Sequence, residues 1–335
     1  MKVCIVGAGA IGGYMAVRIA NAGHNVSVIA RGPHLAAIKA RGMKLIEEND
    51  EFVAENLTAT EFVGELGPMD VVLLALKAHQ IVPIVNDMSV LLGPNTVIVT
   101  LQNGIPWWYF QNFVGDYANR VVETVDPGGL LFKSIDPDRL IGCIAYPATT
   151  ISKPGVIQHI EGNRFPVGEL CGMKTERVQM VSDLFTESGF KSRILDDIRS
   201  EIWLKLWGNL TFNPISALTH STLFDICQFP LTRQLAATLM TEAQTVGERL
   251  GAHFRIPMEK RIAGAESVGK HKTSMLQDVE AGKPVEIESM LGAVIELAEV
   301  TGVQTPTLRA IYACVSLLDK TLSQEKILIK GISKE

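Results

Sequence analysis

Met1-Lys-Val-Cys-Ile-Val-Gly-Ala-Gly-Ala-Ile-Gly-Gly-Tyr14 is the stretch on which the fold turns. Val3 to Val6 form a short run with β-branched residues, so the segment reads as a buried strand. Gly7, Gly9 and Gly12 follow at G-x-G-x-x-G spacing. The first glycine permits a tight turn, the second removes a Cβ that would block a pyrophosphate, and the third lets helix and strand approach closely. A helix beginning beyond Gly9 turns its unpaired N–H groups and positive dipole end toward a phosphate. Three glycines could equally serve a turn that only helps packing, and their setting argues for more. An amphipathic Met15–Ala22 stretch follows, Gly23 closes it, and Asn25–Ala30 supplies a second strand, completing a βαβ unit. The expected fold class is α/β, an N-terminal Rossmann-type doubly wound sheet holding a dinucleotide through Gly7, Gly9, Ala10, Ile11 and Gly12.

The end of the second strand bears on the choice of cofactor. An NAD-binding unit usually places an acid there for the ribose 2′-hydroxyl, whereas a 2′-phosphate calls for a cation. Here the strand ends Ile29-Ala30-Arg31-Gly32, with His34 and Lys39 nearby. NADP(H), held by Arg31, is the expectation.

At 335 residues, with 47% hydrophobic and 20% charged content, the chain can bury one large or two ordinary cores, and two domains are expected. The net charge of −5 and the lack of a basic stretch argue against a nucleic-acid partner. The Val71–Leu92 region is interrupted by Lys77, His79, Gln80, Asn86 and Asp87, so no membrane span is expected. Five scattered cysteines form no C-x-x-C, and seven histidines show no H-E-x-x-H. Reduced thiols, a cytoplasmic location and no metal site follow as expectations. The chain opens directly on a strand, without the pattern of a signal peptide.

Beyond Arg31 the sequence predicts a helix over Leu35–Arg41, then Met43–Ile46 and Glu51–Leu57 as an antiparallel excursion at the sheet edge. Asp70–Ala75 has the continuous apolar character of a strand buried on both faces. Lys77 follows it at the carboxyl end, where open α/β sheets hold their ligands. A helix over Gln80–Leu92 and a strand over Thr96–Leu101 come next. That strand delivers Gln102-Asn103-Gly104, where Asn103 can reach a nicotinamide ribose or a substrate, or can simply make an Asn-Gly turn. Strands are predicted over Arg120–Thr124, Cys143–Thr150, Gly155–His159, Phe165–Glu169 and Ser192–Leu195, with a helix over Thr175–Ser188. From there the pattern is helical, and the boundary is placed near residue 197. The second domain, 198–335, is expected to be all-helical.

In Asp197-Ile-Arg-Ser-Glu-Ile-Trp-Leu-Lys-Leu-Trp-Gly-Asn-Leu-Thr-Phe-Asn-Pro214, Lys205, Asn209 and Asn213 recur at every fourth residue. That spacing puts all three on one helix face, drifting by about 40° per step. Their neighbours Ile202, Leu206, Trp207, Leu210 and Phe212 are large and apolar, so an ammonium and two amides among them need polar company. Pro214 is expected to kink or stop the helix. Further on, Ser274 followed by Gln277 has the form of a capping box. Glu286 opens an amphipathic helix with Ile287, Met290, Leu291, Val294 and Leu297 inward, and by itself suits a dipole-facing acid.

Gly7-Ala-Gly-Ala-Ile-Gly12, Arg31, Leu76-Lys77-Ala78, Gln102-Asn103-Gly104, the Lys205-x-x-x-Asn209-x-x-x-Asn213-Pro214 helix, and Thr273-Ser-Met-Leu-Gln-Asp278 with Glu286 twelve residues after Ser274 stand together in order. In this the chain resembles the ketopantoate reductase (2-dehydropantoate 2-reductase) family over nearly its full length. The resemblance implies NADPH-dependent reduction of 2-dehydropantoate to pantoate, on the route to pantothenate. It implies that Lys205 is the catalytic lysine serving the ketone oxygen and that Glu286 is the acid holding the nascent hydroxyl. Asn209, Asn213 and Ser274 match substrate-binding groups, Lys77 and Asn103 the cofactor and substrate end of the sheet, and Arg31 the 2′-phosphate ligand. Leu223 departs from the pattern, standing where the family carries a further asparagine, and Trp107, Trp108 and Trp207 are bulky enough to reshape a pocket. A paralogue acting on another branched 2-keto acid, an NADP-linked β-hydroxyacid or 6-phosphogluconate type dehydrogenase, and a non-catalytic NADP(H)-sensing protein are the alternatives. An apolar helical domain is also compatible with a homodimer.

Overall fold

The computed structural model describes residues 1–48 and 50–325 and separates into two compact units. Residues 1–103, 107–121 and 126–198 make the first, while 104–106, 122–125 and the chain from Arg199 onward make the second.

The first unit holds two sheets. Its strands are β1 (Lys2–Val6), β2 (Asn25–Ile29), β3 (Met43–Glu47), β4 (Asp50–Ala54), β5 (Thr58–Thr60), β6 (Met69–Leu74), β7 (Leu92–Thr100), β8 (Leu140–Cys143), β9 (Ala148–Lys153), β10 (Val156–Glu161), β11 (Val167–Glu169) and β12 (Ile194–Leu195). Eight of them form the main sheet in the order β12-β11-β8-β7-β6-β1-β2-β5. Every pairing in it is parallel except β8 with β11. Val3 to Val6 and Val71 to Leu74 are fully buried, as strands covered on both faces must be.

The helix Ala10–Asn21 crosses from β1 to β2 and is seated by adjacent glycines. A Cβ on Gly12 would overlap the Gly7 carbonyl oxygen and come within 3.1 Å of the Ala75 side chain. A Cβ on Gly13 would stand 2.6 Å from Ile157 Cδ1 and 3.0 Å from Met43 Sδ. One glycine thus presses the helix onto the main sheet, and the next admits residues of a second sheet. That second sheet, ordered β4-β3-β10-β9, corrects the expectation that residues 43–57 lie at the edge of the first. Strand β3 pairs in parallel with β10, more than a hundred residues on, a partnership no local pattern could announce.

Three further expectations give way. The segment Gln80–Leu92 is one turn of helix, Ala78–Ile81, followed by 3₁₀ pieces Val82–Ile84 and Asp87–Leu91, because Pro83 lacks the N–H a continuing helix needs. Arg120–Thr124 forms no strand: the N–H groups of Glu123 and Thr124 donate to the two carboxylate oxygens of Glu296, at 2.9 and 2.7 Å, and so are lost to a ladder. Cys143–Thr150 divides into β8 and β9 around Pro147.

Among the described residues the second unit contains helices and no strand. Its first helix runs Ile198–Thr219 and does not stop at Pro214. An interior proline costs about 3 kcal/mol, and burial of Leu210, Phe212, Ile215 and Ala217 on both sides of it offsets that cost. Trp207 is fully buried with its indole N–H donating to the Met240 carbonyl at 2.7 Å, and buried Trp108 donates to Thr100 Oγ1 at 3.0 Å. With Trp107 also fully buried, these tryptophans are core residues.

Gly12→Ala should destabilise the chain by about 1–3 kcal/mol, the usual cost of overpacking. Denaturant unfolding of the full-length protein measures it, and an unchanged midpoint would show that helix and strand are not in the contact described.

Candidate active site

A cleft of about 250 Å³ opens at the carboxyl ends of β1 and β2. Its walls include Gly7, Ala8 and Gly9 of the glycine turn, Ile29, Ala30 and Arg31 at the end of β2, and Leu76, Gln80 and Ile84 beyond β6. Gly7 has φ of +105°, and a Cβ there would stand 2.6 Å from Leu76 Cδ2. Gly9 is different: a Cβ there would meet nothing within 4 Å, so the space in front of it is open. No side chain caps the helix that starts at Ala10, and no acid occupies its first turn. An uncapped positive helix end beside open space fits a pyrophosphate. Ala10 and Ile11 form the first turn of that helix, while Gly12 serves the packing beneath it. Arg31 is exposed at the rim.

His34, Ile151 and Gln80 are wall residues that the glycine pattern does not reveal. Nδ1 of His34 accepts the Gly155 N–H at 3.0 Å, and since a backbone N–H can only donate, the ring proton sits on Nε2. The histidine thereby ties the rim of the main sheet to the β9–β10 hairpin. Burial lowers its pKa below the ordinary 6.5, and the nearby Ala8 carbonyl opposes the shift.

Lys77 and Asn103 are half-buried and do not line this cleft. The Lys77 N–H donates to Gln80 Oε1 at 3.1 Å. Gln102 Nε2 donates to the Leu74 and Leu76 carbonyls at 2.9 and 3.0 Å, which fixes the loop carrying Asn103 to the end of β6. The residues after Asn103 are pinned differently. Gly104 has φ of +78°, Ile105 N–H donates to the Ser289 carbonyl at 2.8 Å, and a Cβ on Gly104 would overlap that carbonyl oxygen.

In the helical unit, Lys205, Asn209 and Asn213 lie on the helix Ile198–Thr219 at the spacing the sequence predicts. Lys205 and Asn209 are half-buried, and Asn213 is 6% exposed. The structure brings Asn213 and Ser274 together: Nδ2 donates to Ser274 Oγ at 3.5 Å, with Met290 Sδ at 3.9 Å. Ser274 is not the N-cap of its helix. Thr273 is, accepting the Leu276 N–H at 3.3 Å. The shift by one residue leaves the exposed Ser274 hydroxyl to Asn213. Glu286 is half-buried and precedes a π-helical turn, Glu288–Gly292, that leads into the helix Ala293–Thr301. Its flanks are anchored: Val285 N–H donates to Asp319 Oδ1 at 2.9 Å, and the Tyr312 hydroxyl donates to Glu288 at 3.0 Å. Burial, then that contact with Glu288, pushes the Tyr312 phenol above its ordinary value. Leu223 begins the short helix Leu223–Gln228 and donates its N–H to the His271 carbonyl at 3.1 Å.

A Rossmann-like sheet with an uncapped glycine turn, joined in one chain to an all-helical unit, defines the class as a nucleotide-dependent oxidoreductase. Residues 3–171 match the family ketopantoate reductase PanE/ApbA, and residues 197–319 match its C-terminal domain. The chain belongs to the ketopantoate reductase family. It is 49% identical over 319 residues to a 2-dehydropantoate 2-reductase of Mesorhizobium japonicum, covering 95% of this chain and 98% of that one. A structure assigned to ketopantoate reductase from Ralstonia solanacearum superimposes with a TM-score of 0.91 at 35% identity, covering 96% and 98% of the two chains. D-mandelate dehydrogenase with NADH and anilino(oxo)acetate shares the fold, with a TM-score of 0.82 at 21% identity over 96% of this chain and 99% of that one.

Gly9→Ala should leave the unfolding midpoint in place while weakening dinucleotide binding at least tenfold, as read by titration of nicotinamide fluorescence. The lowered His34 pKa means that the unfolded chain takes up its proton first, so this histidine's stabilisation is full above about pH 6.5 and is lost as pH falls below that value. His34→Asn, whose Oδ1 can also accept the Gly155 N–H, should flatten that part of the melting-temperature profile between pH 7 and 5.

Proposed function

We propose that this chain reduces a 2-keto acid, 2-dehydropantoate, to the corresponding 2-hydroxy acid, pantoate, with NADPH as reductant. The observation that carries the proposal is the polar stripe. A helix whose other faces bury Trp203, Leu206, Trp207 and Leu210 spends three positions on an ammonium and two amides, and its last amide reaches a serine hydroxyl held by a separate helix. An ammonium and two amides along one helix face, with a hydroxyl beside the last of them, are the donor and acceptor types that a hydroxylated keto acid engages. The near-full-length similarity to a protein bearing the 2-dehydropantoate 2-reductase name supports the choice of acid.

When bound, NADPH supplies a hydride to the carbonyl carbon. The tasks of the chain's own residues follow from where charge develops. Negative charge grows on the ketone oxygen in the transition state, and a fixed ammonium on Lys205 stabilises it there more than in the ground state and passes it a proton. Glu286 accepts a hydrogen bond from the hydroxyl so formed and orients the lysine. Asn209, Asn213 and Ser274 hold the remaining polar atoms of the substrate. At the cofactor end, Gly7 makes the tight turn against Leu76, Gly9 leaves room for the pyrophosphate, Ala10 and Ile11 offer backbone N–H groups, and Arg31 meets the 2′-phosphate. Lys77 and Asn103 complete the nicotinamide side.

A panel of 2-keto acids with NADPH and NADH tests the assignment. The highest kcat/KM should fall to 2-dehydropantoate with NADPH, and a clear preference for another branched 2-keto acid would replace the substrate while keeping the chemistry. Tight NADPH binding with no oxidation of it by any keto acid would favour a sensor. Lys205→Ala should lower kcat about 100- to 1,000-fold, the range for removing one group that stabilises an oxyanion, with NADPH affinity retained. A charge-assisted hydrogen bond is worth about 1.5–3 kcal/mol, so Arg31→Glu should shift the NADPH-to-NADH preference at least about tenfold. An unchanged ratio would remove Arg31 from the phosphate.

A further inference from the structure

Ile151 stands on β9, an edge strand of the second sheet, and is 40% exposed, yet it belongs to the wall of the nucleotide cleft. Its cross-strand partner explains where it points. Ile151 pairs with Ile157 of antiparallel β10, and directly paired residues share a face of their sheet. Ile157 is fully buried against the helix Ala10–Asn21, with its Cδ1 close to where a Cβ on Gly13 would stand. Ile151 therefore lies on the face turned toward that helix, at the place where the cover ends and the cleft opens.

The hairpin that carries it is held firmly. Its turn at Pro154-Gly155 docks on the helix Gly32–Arg41, which begins directly after Arg31. Besides the Gly155 N–H on His34, Arg41 Nη2 donates to the Pro154 carbonyl at 2.9 Å, and the Lys44 N–H donates to the Gly155 carbonyl at 2.9 Å. Gly155 has φ of +79°, and a Cβ there would stand 3.0 Å from that of Ala37. His34, Ala37 and Arg41 recur at steps of three and four residues, so one stripe of the helix holds the hairpin. The helix that follows Arg31 and the hairpin that carries Ile151 are thereby one piece of structure.

In an open α/β sheet the pyrophosphate takes the helix start after the first strand and the adenosine ribose takes the end of the second. The adenine half of a dinucleotide thus belongs on the side of Arg31. A purine has two broad faces, and ligand sites cover such faces with apolar side chains. Leu76 and Ile84 supply them from beyond β6, and Ile151 supplies one from the second sheet. An apolar side chain left partly in water gains when a base covers it.

We propose that Ile151 is an adenine-contacting residue of the dinucleotide site and that His34 is the positioning residue holding it there. The inference rests on the NADP(H) reading of this cleft above. It adds the second sheet to the cofactor site and separates recognition of the base, by apolar cover, from recognition of the 2′-phosphate by Arg31.

Calorimetric titration of the full-length protein with NADPH, NADH and adenosine 2′,5′-bisphosphate tests it. Ile151→Ser should raise the Kd of each about fivefold, the scale of returning part of one apolar side chain to water, because all three carry the base. The NADPH-to-NADH ratio should then stay within about twofold of wild type, unlike that of Arg31→Glu. Ile151→Leu should keep wild-type affinity. His34→Leu, which cannot accept the Gly155 N–H, should weaken all three ligands by a similar factor, and His34→Asn should restore them. Should His34→Leu fail to fold, Ile151→Ser decides, since an exposed edge residue can be changed with the melting temperature in place. Unchanged Kd values in Ile151→Ser overturn the contact with the base, and an equal loss in Ile151→Leu overturns the apolar cover. Wild-type affinity in His34→Leu overturns the positioning role. Each of these leaves dinucleotide binding standing. A wild type that binds none of the three ligands overturns the reading of the cleft and this inference together.

Discussion

The first turn of the helix Ala10–Asn21 touches the Gly7 carbonyl with no room for a methyl group between them, and the N-terminal unit is built around that contact. It fixes the helix axis against the end of β1, and so fixes where the helix's uncapped N–H groups point. Because residues on a helix turn by about 100° each, the next glycine faces elsewhere, and the second sheet enters through it against Ile157 and Met43. The hairpin of that sheet then returns to the mouth of the cleft, where the Gly155 N–H meets His34. Two adjacent missing side chains thus seat one helix against two sheets and set both walls of the nucleotide cleft.

The helical unit answers a different demand. Its backbone donors in loops and at the start of the helix Pro306–Glu325 are captured by carboxylates sent from neighbouring helices. Glu296 takes the N–H groups of Glu123 and Thr124, Glu242 those of Thr307 and Leu308, and Asp319 that of Val285. A buried N–H without a partner is costly, and here each carboxylate satisfies one or two while holding a connecting segment in place. One of the segments so held is the turn carrying Glu286, whose neighbour Val285 is tied to Asp319.

A sheet with a glycine turn followed by a helical bundle accommodates more than one 2-hydroxy acid chemistry, since fold alone does not select substrate. Leu223 offers no amide, and Arg261 lies across Gly208 with a guanidinium. The tryptophans, for all their bulk, are spent on the core.

The glycine spacing, the buried runs Val3–Val6 and Val71–Leu74, and the recurrence of Lys205, Asn209 and Asn213 at every fourth residue were legible in the chain, because each is a local period that maps directly onto strand or helix geometry. Arg31 was legible for a similar reason, being fixed by its distance from the strand it ends. The separate sheet formed by β3, β4, β9 and β10 was not, since β3 and β10 meet across more than a hundred residues. Nor was the continuation of the helix beyond Pro214, where a stop was one of the two outcomes expected and burial of the flanks outweighs the missing hydrogen bond. Thr273 takes the cap that Ser274 seemed suited to, and the difference of one residue gives Ser274 to Asn213. The order of residues by itself determined the kinds of groups present and the helix or strand that carries each, because those follow from short-range sterics and apolar period. Which groups meet, as His34 meets Gly155 and Arg261 meets Gly208, was decided only by tertiary packing, because contacts between distant segments depend on shapes that no single segment contains.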